Sequence, residues 1–194
     1  MSKIRVLDNV YDLITINMED RFKDNVAFRF YDTANDAVTT ILYKDYVQDI
    51  RKAVNYFQST IPEIKGKKIC LLTKNSYEYV VNTFGVVAAG AVLVLLNQRK
   101  SWDELSYELG LVEPDAILTD GDDYGFNDQL KAAYGDIIRP MDGFRSYEPA
   151  QLTRCIDHEA LMILMFTSGT TGRSKGVMLS EKNFFSVMRA HTQI

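Results

Sequence analysis

KICLLTKNSYEYVVNTFGVVAAGAVLVLL, residues 68 to 96, holds two short apolar runs separated by a stretch of mixed polarity. Lys68 to Thr73 (KICLLT) reads as a strand. Asn75-Ser76-Tyr77-Glu78 has the polar-x-x-Glu arrangement of a capping box, which starts a helix. Gly90 suits the position just past that helix, because glycine accepts the left-handed backbone that closes a helix. Ala91 to Leu96 (AVLVLL) follows without a polar residue, the pattern of a strand covered on both sides. Strand, helix and strand in this order predict a βαβ unit with a right-handed crossover.

The flanking sequence extends the alternation. Upstream, Val26 to Tyr31 and Val38 to Tyr43 bracket the turn-rich Thr33-Ala34-Asn35-Asp36 and predict a hairpin. Val47, Ile50, Val54 and Phe57 then fall on one face of a helix that stops before Pro62. Downstream, Ser101-Trp102-Asp103-Glu104 is a second capping box, opening a helix expected to end near Gly110. Asp115 to Thr119 and Leu161 to Phe166 read as buried strands, with a helix around Asn127 to Tyr134 between them. Gly176 to Leu179 is a short strand, and Ser180 caps a last helix with Phe184, Val187, Met188 and His191 on one face. The predicted class is α/β, a mainly parallel sheet flanked by helices, with an N-terminal hairpin.

Composition narrows the function. The 194 residues suffice for a core and are 46% hydrophobic and 25% charged, an ordinary globular balance. A net charge of -4 with interspersed signs provides no global field for nucleic acid or anionic lipid. Val86 to Leu96, broken by Gly90, and Leu161 to Phe166 are too short to span a bilayer, so no integral membrane segment is expected. The N-terminal MSKIRVLDNVYD has no apolar signal core, and a cytoplasmic location is the expectation. Cys70 and Cys155 lack CxxC spacing and read as reduced thiols. Asp120, Asp122 and Asp123 lack the spaced ligands and closing Glu of a calcium loop and read as a solvated turn; no metal site is expected from this chain. Trp102 and the tyrosines Tyr43, Tyr46 and Tyr56 read as packing residues rather than recognition surfaces.

The chemistry is concentrated in MFTSGTTGRSKGVMLS, residues 165 to 180. A phosphate needs converging donors, and glycine-rich backbone, hydroxyls and an ammonium supply them together. One reading is a plain turn between strands. Another is a Walker A loop, GxxxxGK[ST] leading into a helix. Counted from Gly169, however, Ser174 stands where the second glycine belongs, Gly176 replaces the magnesium-binding hydroxyl, and a strand pattern follows.

TSGTTGRSKGV, with LMILMF before it and Val177, Ser180 and Asn183 after it, closely resembles the signature loop of the adenylate-forming superfamily. Ala89 to Asn97 (AGAVLVLLN) followed by Glu104-Leu105 is similar to a second stretch of that family, in the right order and spacing. The resemblance implies the N-terminal part of an AMP-binding domain over residues 1 to 194, cut before the remaining nucleotide-site motifs and the C-terminal domain. It implies that Thr167, Ser168, Gly169, Thr170, Thr171, Gly172 and Lys175 hold the β- and γ-phosphates of ATP. The implied reaction joins a carboxylic acid, fatty acids among the candidates, to ATP as an acyl-adenylate and passes the acyl group to the thiol of CoA. Mg2+ ligands and the catalytic residues are expected outside this chain, which alone is expected to be inactive. A peptide-synthetase adenylation domain and a non-catalytic nucleotide-binding module are the alternatives. The chain departs from the family at Ser174 and Leu95, where proline is usual, and the serine is expected to loosen the loop.

Overall fold

The computed structural model describes residues 7–32, 36–154, 157–167 and 173–192. The short helix α1 (Val10–Asp12) runs into a π-helical segment, Leu13–Arg21, and the chain then forms the expected hairpin. Its strands β1 (Val26–Asp32) and β2 (Ala37–Leu42) are antiparallel, with Asp32 opposite Ala37; Thr33 to Asn35 of the foreseen turn lie outside the described residues. Helix α2 (Tyr43–Thr60) buries Val47, Ile50, Val54 and Phe57, as their spacing predicts.

The βαβ unit is present as β3 (Lys68–Leu71), α3 (Tyr77–Ala88) and β4 (Val92–Leu95), with β3 and β4 parallel and Ile69 opposite Leu93. Gly90 has φ of +84°, and the amides of Gly90 and Ala91 bond the carbonyls of Val87 and Val86, closing α3. The foreseen capping box is corrected by one residue. Ser76, not Asn75, is the cap, its hydroxyl accepting from the Tyr79 amide at 3.1 Å. Glu78 thus falls one position short of a capping-box partner and accepts from Arg145 at 2.5 Å, with the Ser76 hydroxyl still beside its carboxyl.

Helix α4 (Trp102–Val112), β5 (Ala116–Thr119), α5 (Asn127–Tyr134), β6 (Ile138–Pro140), β7 (Leu161–Thr167), β8 (Lys175–Ser180) and α6 (Glu181–Thr192) complete the order. The Ser101–Glu104 capping box forms in full. Gly110 does not end α4, because Leu109 and Val112 are both buried and hold the helix to the sheet for another half turn; Glu113, with φ of +51°, closes it. In α6 the Ser180 cap pairs reciprocally with Asn183; Phe184 and Met188 pack against the core as expected, Phe185 is buried beside them, and Val187 is instead 61% exposed. The side chain of His191 lies outside the described residues.

The main sheet has strand order β6-β5-β3-β4-β7-β8, parallel except for β8. Side-chain alternation explains why it takes helices on both faces. Ile69, Leu71, Leu93 and Leu118 pack with α2 and α3, while Cys70, Leu72, Val94 and Ile117 pack with Leu105, Leu109 and Leu130 of α4 and α5. Each fully buried aliphatic side chain contributes about 1.5–3 kcal/mol. Burial also pushes the Cys70 thiol up, out of the reactive range. Tyr46 and Tyr56 are core residues, and Trp102 packs 6.4 Å from Phe126. No helix among the described residues is long and apolar enough to cross a membrane.

Helices α2 and α3 cross closely at Gly85, where an added Cβ would lie 2.5 Å from that of Ala53. Elsewhere in a helix, Gly to Ala stabilises by roughly 0.5–1 kcal/mol. Here overpacking costs about 1–3 kcal/mol and wins. Gly85→Ala is therefore expected to lower the thermal midpoint; an unchanged or higher midpoint would refute the close crossing.

Candidate functional site

The loops that follow the parallel strands share the carboxyl edge of the sheet, where open α/β sheets place ligands. Because β4 lies beside β7, with Leu95 opposite Met165, the loop after β4 comes next to the end of β7 and to Ser174. The reversal of strand order falls between β3 and β5, whose following residues form a separate polar cluster.

Strand β7 ends at Thr167 and β8 begins at Lys175, and these two residues face each other across the mouth of the signature loop. The Thr167 Oγ1 lies 3.5 Å from the Lys175 carbonyl, and the Lys175 side chain is exposed. Ser168, Gly169, Thr170, Thr171 and Gly172, the remaining residues foreseen as phosphate ligands, lie outside the described residues. An antiparallel strand follows the loop, which is the geometry of a hairpin and not the strand-to-helix passage of a Walker loop.

The second motif acts as a brace. Asn97 turns the chain after β4, its side chain accepting from the Arg99 amide at 2.9 Å and its carbonyl from the Lys100 amide at 3.2 Å. Glu104 then bonds back to the Ser101 amide at 3.1 Å, and Leu105 is buried beneath it. The hydrogen bonds from Ser101 hold the Glu104 carboxyl below the usual carboxylate range. Lys100, delivered between these two fixed points, forms an ion pair with Glu108 of α4 and donates to Ser174 Oγ at 3.2 Å. Ser174, the departure expected to loosen the loop, is thus bonded at its hydroxyl.

Lys100 and Glu108 were not among the residues singled out from sequence, yet a signal existed. Glu108 shares a helical face with the buried Leu105, Leu109 and Val112, and a carboxylate at such a position needs a partner.

At the order reversal, Asp120 Oδ2 accepts from Thr73 at 2.5 Å, Tyr124 at 2.6 Å and the Lys74 amide at 3.3 Å, while Oδ1 accepts from the Asp122 amide at 3.1 Å. Burial opposes ionisation, but these donors outweigh it and keep the carboxyl below its ordinary value. Tyr124 is pushed up to about 12 by burial and by its bond to Asp120. The acidic run is the exposed turn expected, held by hydrogen bonds through Asp120. Among the described residues no group of three His, Cys, Asp or Glu is placed to hold a metal ion. A pocket of about 190 Å³, lined by residues that include Lys65, Ala91, Leu161 and Glu181, opens at the amino ends of β4 and β7, on the opposite edge from the loop.

Known proteins resemble this chain in sequence and in fold. The chain is 32% identical over 122 residues to a 2-succinylbenzoate–CoA ligase of Bacillus cereus (strain ATCC 10987 / NRS 248), covering 63% of this chain and 24% of that enzyme. It is 26% identical over 151 residues to a 4-coumarate–CoA ligase-like protein of Arabidopsis thaliana, covering 66% of this chain and 26% of that protein. The chain thus spans about a quarter of the length of the curated relatives it matches. In fold it is similar to ATP-bound MatB from Rhodopseudomonas palustris, with a TM-score of 0.79 and 23% identity over 96% of this chain and 37% of that one. A fatty acyl-adenylate ligase from L. pneumophila gives a TM-score of 0.71 at 18% identity, over 94% of this chain and 32% of that one. Residues 18–194 match the model of the AMP-binding enzyme family, so the hairpin loop, the braced turn beside it and the helix-flanked sheet belong to a member of that family.

Proposed function

We propose that the chain forms the phosphate-binding side of an ATP-dependent ligase that joins a carboxylic acid to the thiol of CoA. Family membership supports ATP as the nucleotide, and the observation that carries the reading is the exposed Lys175 facing Thr167 across a Gly/Ser/Thr-rich loop at the ligand edge of the sheet. The acid's carboxylate attacks the α-phosphorus of ATP, the bond to the bridging oxygen breaks, and pyrophosphate leaves carrying the electron pair. Negative charge grows on the departing pyrophosphate. The ammonium of Lys175 and the hydroxyls and amides of 167–172 are suited to stabilise it more in the transition state than before. Mg2+ contacts, CoA contacts and the residues that finish the transfer fall to parts of the protein other than these residues, and the chain alone is not expected to turn over. Residues 1 to 194 are then one portion of the AMP-binding domain.

The relatives' names favour an aromatic acid over the fatty acid considered from sequence, since 2-succinylbenzoate and 4-coumarate both carry a ring. Two measurements on the longest natural polypeptide that carries this sequence check the proposal. By calorimetry, Lys175→Ala is expected to weaken ATP or pyrophosphate binding about 10- to 100-fold, the worth of a charged hydrogen bond; equal affinity would remove Lys175 from the site. In acid-dependent exchange of pyrophosphate into ATP, aryl acids should outpace long-chain fatty acids. The reverse order would overturn the aryl assignment, and nucleotide binding without exchange for any acid would favour a non-catalytic module.

A further inference from the structure

Glu108 occupies a position that the helix turns toward the sheet, and its side chain is 0% exposed. Removing an ion from water costs several kcal/mol unless a partner compensates it. Oε1 accepts from Lys100, while Oε2 takes no hydrogen bond among the described residues. Among the described residues, the compensation therefore falls on one ammonium.

That ammonium also reaches both ends of the signature loop. It donates to Ser174 Oγ at 3.2 Å on the exit side, and it sits 5.9 Å from the ring centroid of Phe166 on the entry side. One residue away, the guanidinium of Arg173 lies 4.8 Å above the ring of Tyr107, again on α4. Two consecutive residues of the loop's exit, 173 and 174, are thus tied to one helix and the turn before it. Lys175 comes next.

We infer that Lys100, fixed by buried Glu108, is a positioning residue that clamps Ser174, just before β8, and thereby sets how firmly the adjoining Lys175 holds polyphosphate. The clause about polyphosphate rests on the proposed function; the clamp does not. Lys100 makes its effect through Ser174 and needs no contact with the nucleotide. The carboxylate is the fixed end, the cation the arm, and the serine hydroxyl the grip.

Ser174→Ala removes the grip and leaves the buried ion pair intact, so folding is not at stake. In the longest natural polypeptide, deuterium uptake of a peptide spanning 166–176 should accelerate in Ser174→Ala and return to the parent rate in Ser174→Thr, which keeps the hydroxyl. In the pyrophosphate exchange assay the KM for ATP should rise about 5- to 10-fold in the alanine variant, less than for a lost direct charged contact because Ser174 acts through its neighbour, with kcat nearly unchanged and the threonine variant restored. Lys100→Met/Glu108→Leu, which removes both charges together, should match the alanine variant in uptake, since a buried pair exchanged for apolar residues leaves no orphan charge. Parent-like uptake in Ser174→Ala, or a threonine variant as impaired as the alanine, would overturn the clamp. Faster uptake in Ser174→Ala with ATP binding unmoved by Lys175→Ala would uphold the clamp and overturn its link to polyphosphate.

Discussion

The central strands of this protein are covered on both faces, and that constraint governs where chemistry can reside. A side chain on β3 or β4 points into one of two apolar layers, Ile69 and Leu71 into one and Cys70 and Leu72 into the other. A polar group in either layer would need a partner brought from outside the layer. Reactive residues are therefore displaced to the ends of the strands, where the backbone leaves the sheet and water is available. Thr167, Lys175, Asn97, Lys100 and Asp120 all stand at such ends. Glu108 and Asn82 are buried polar groups that the constraint makes visible: the partner of Glu108 enters from the edge, and Asn82 donates to the Glu78 and Met141 carbonyls.

The sheet was legible in the sequence because burial on two faces writes long apolar runs, and each run foreseen from KICLLT to LMILMF is a strand. Helix limits were less legible, for local reasons. Gly110 looked like a stop, but Leu109 and Val112 gain more from burial than the glycine loses in helix preference. At residues 75 to 78 two polar residues competed for the cap, and the pull of Arg145 on Glu78, a partner 67 positions away, is invisible to local pattern. Strand β6 is three residues long, and its Pro140 reads as a breaker; only pairing with β5 makes Ile138–Pro140 a strand. Within the candidate site, Thr167 and Lys175 were readable because glycines, hydroxyls and an ammonium clustered in sequence. Lys100 was not, because its meaning depends on Glu108 and Ser174, which the fold and not the chain brings near.

The two family motifs divide their labour physically. In the proposed function the loop at 167–175 carries the donors, and the stretch from Ala89 to Leu105 shapes the ground beside it. Gly90 closes a helix, Asn97 makes a turn, Glu104 completes a cap and Leu105 anchors that cap to the sheet. None of these four roles requires contact with a ligand. A motif can recur with a binding loop because it sets the loop's neighbour.

The entry of β8 directly after the loop has a consequence for how such a site can change. Aligned peptide dipoles make a helix start electropositive, and a cradle built there inherits its charge from the backbone. Paired antiparallel strands have dipoles that nearly cancel. An anion at the mouth between β7 and β8 would meet formal charge on Lys175, with Arg173 and Lys100 close by, all of them side chains, beside the amides and hydroxyls proposed to bind it. A charge carried this way is divisible: it can be raised, lowered or masked one residue at a time, by substitution or by acylation of a lysine, while the strands that frame it stay as they are. Attraction and architecture are then under separate control, and the grip on an anion can evolve at the pace of single codons.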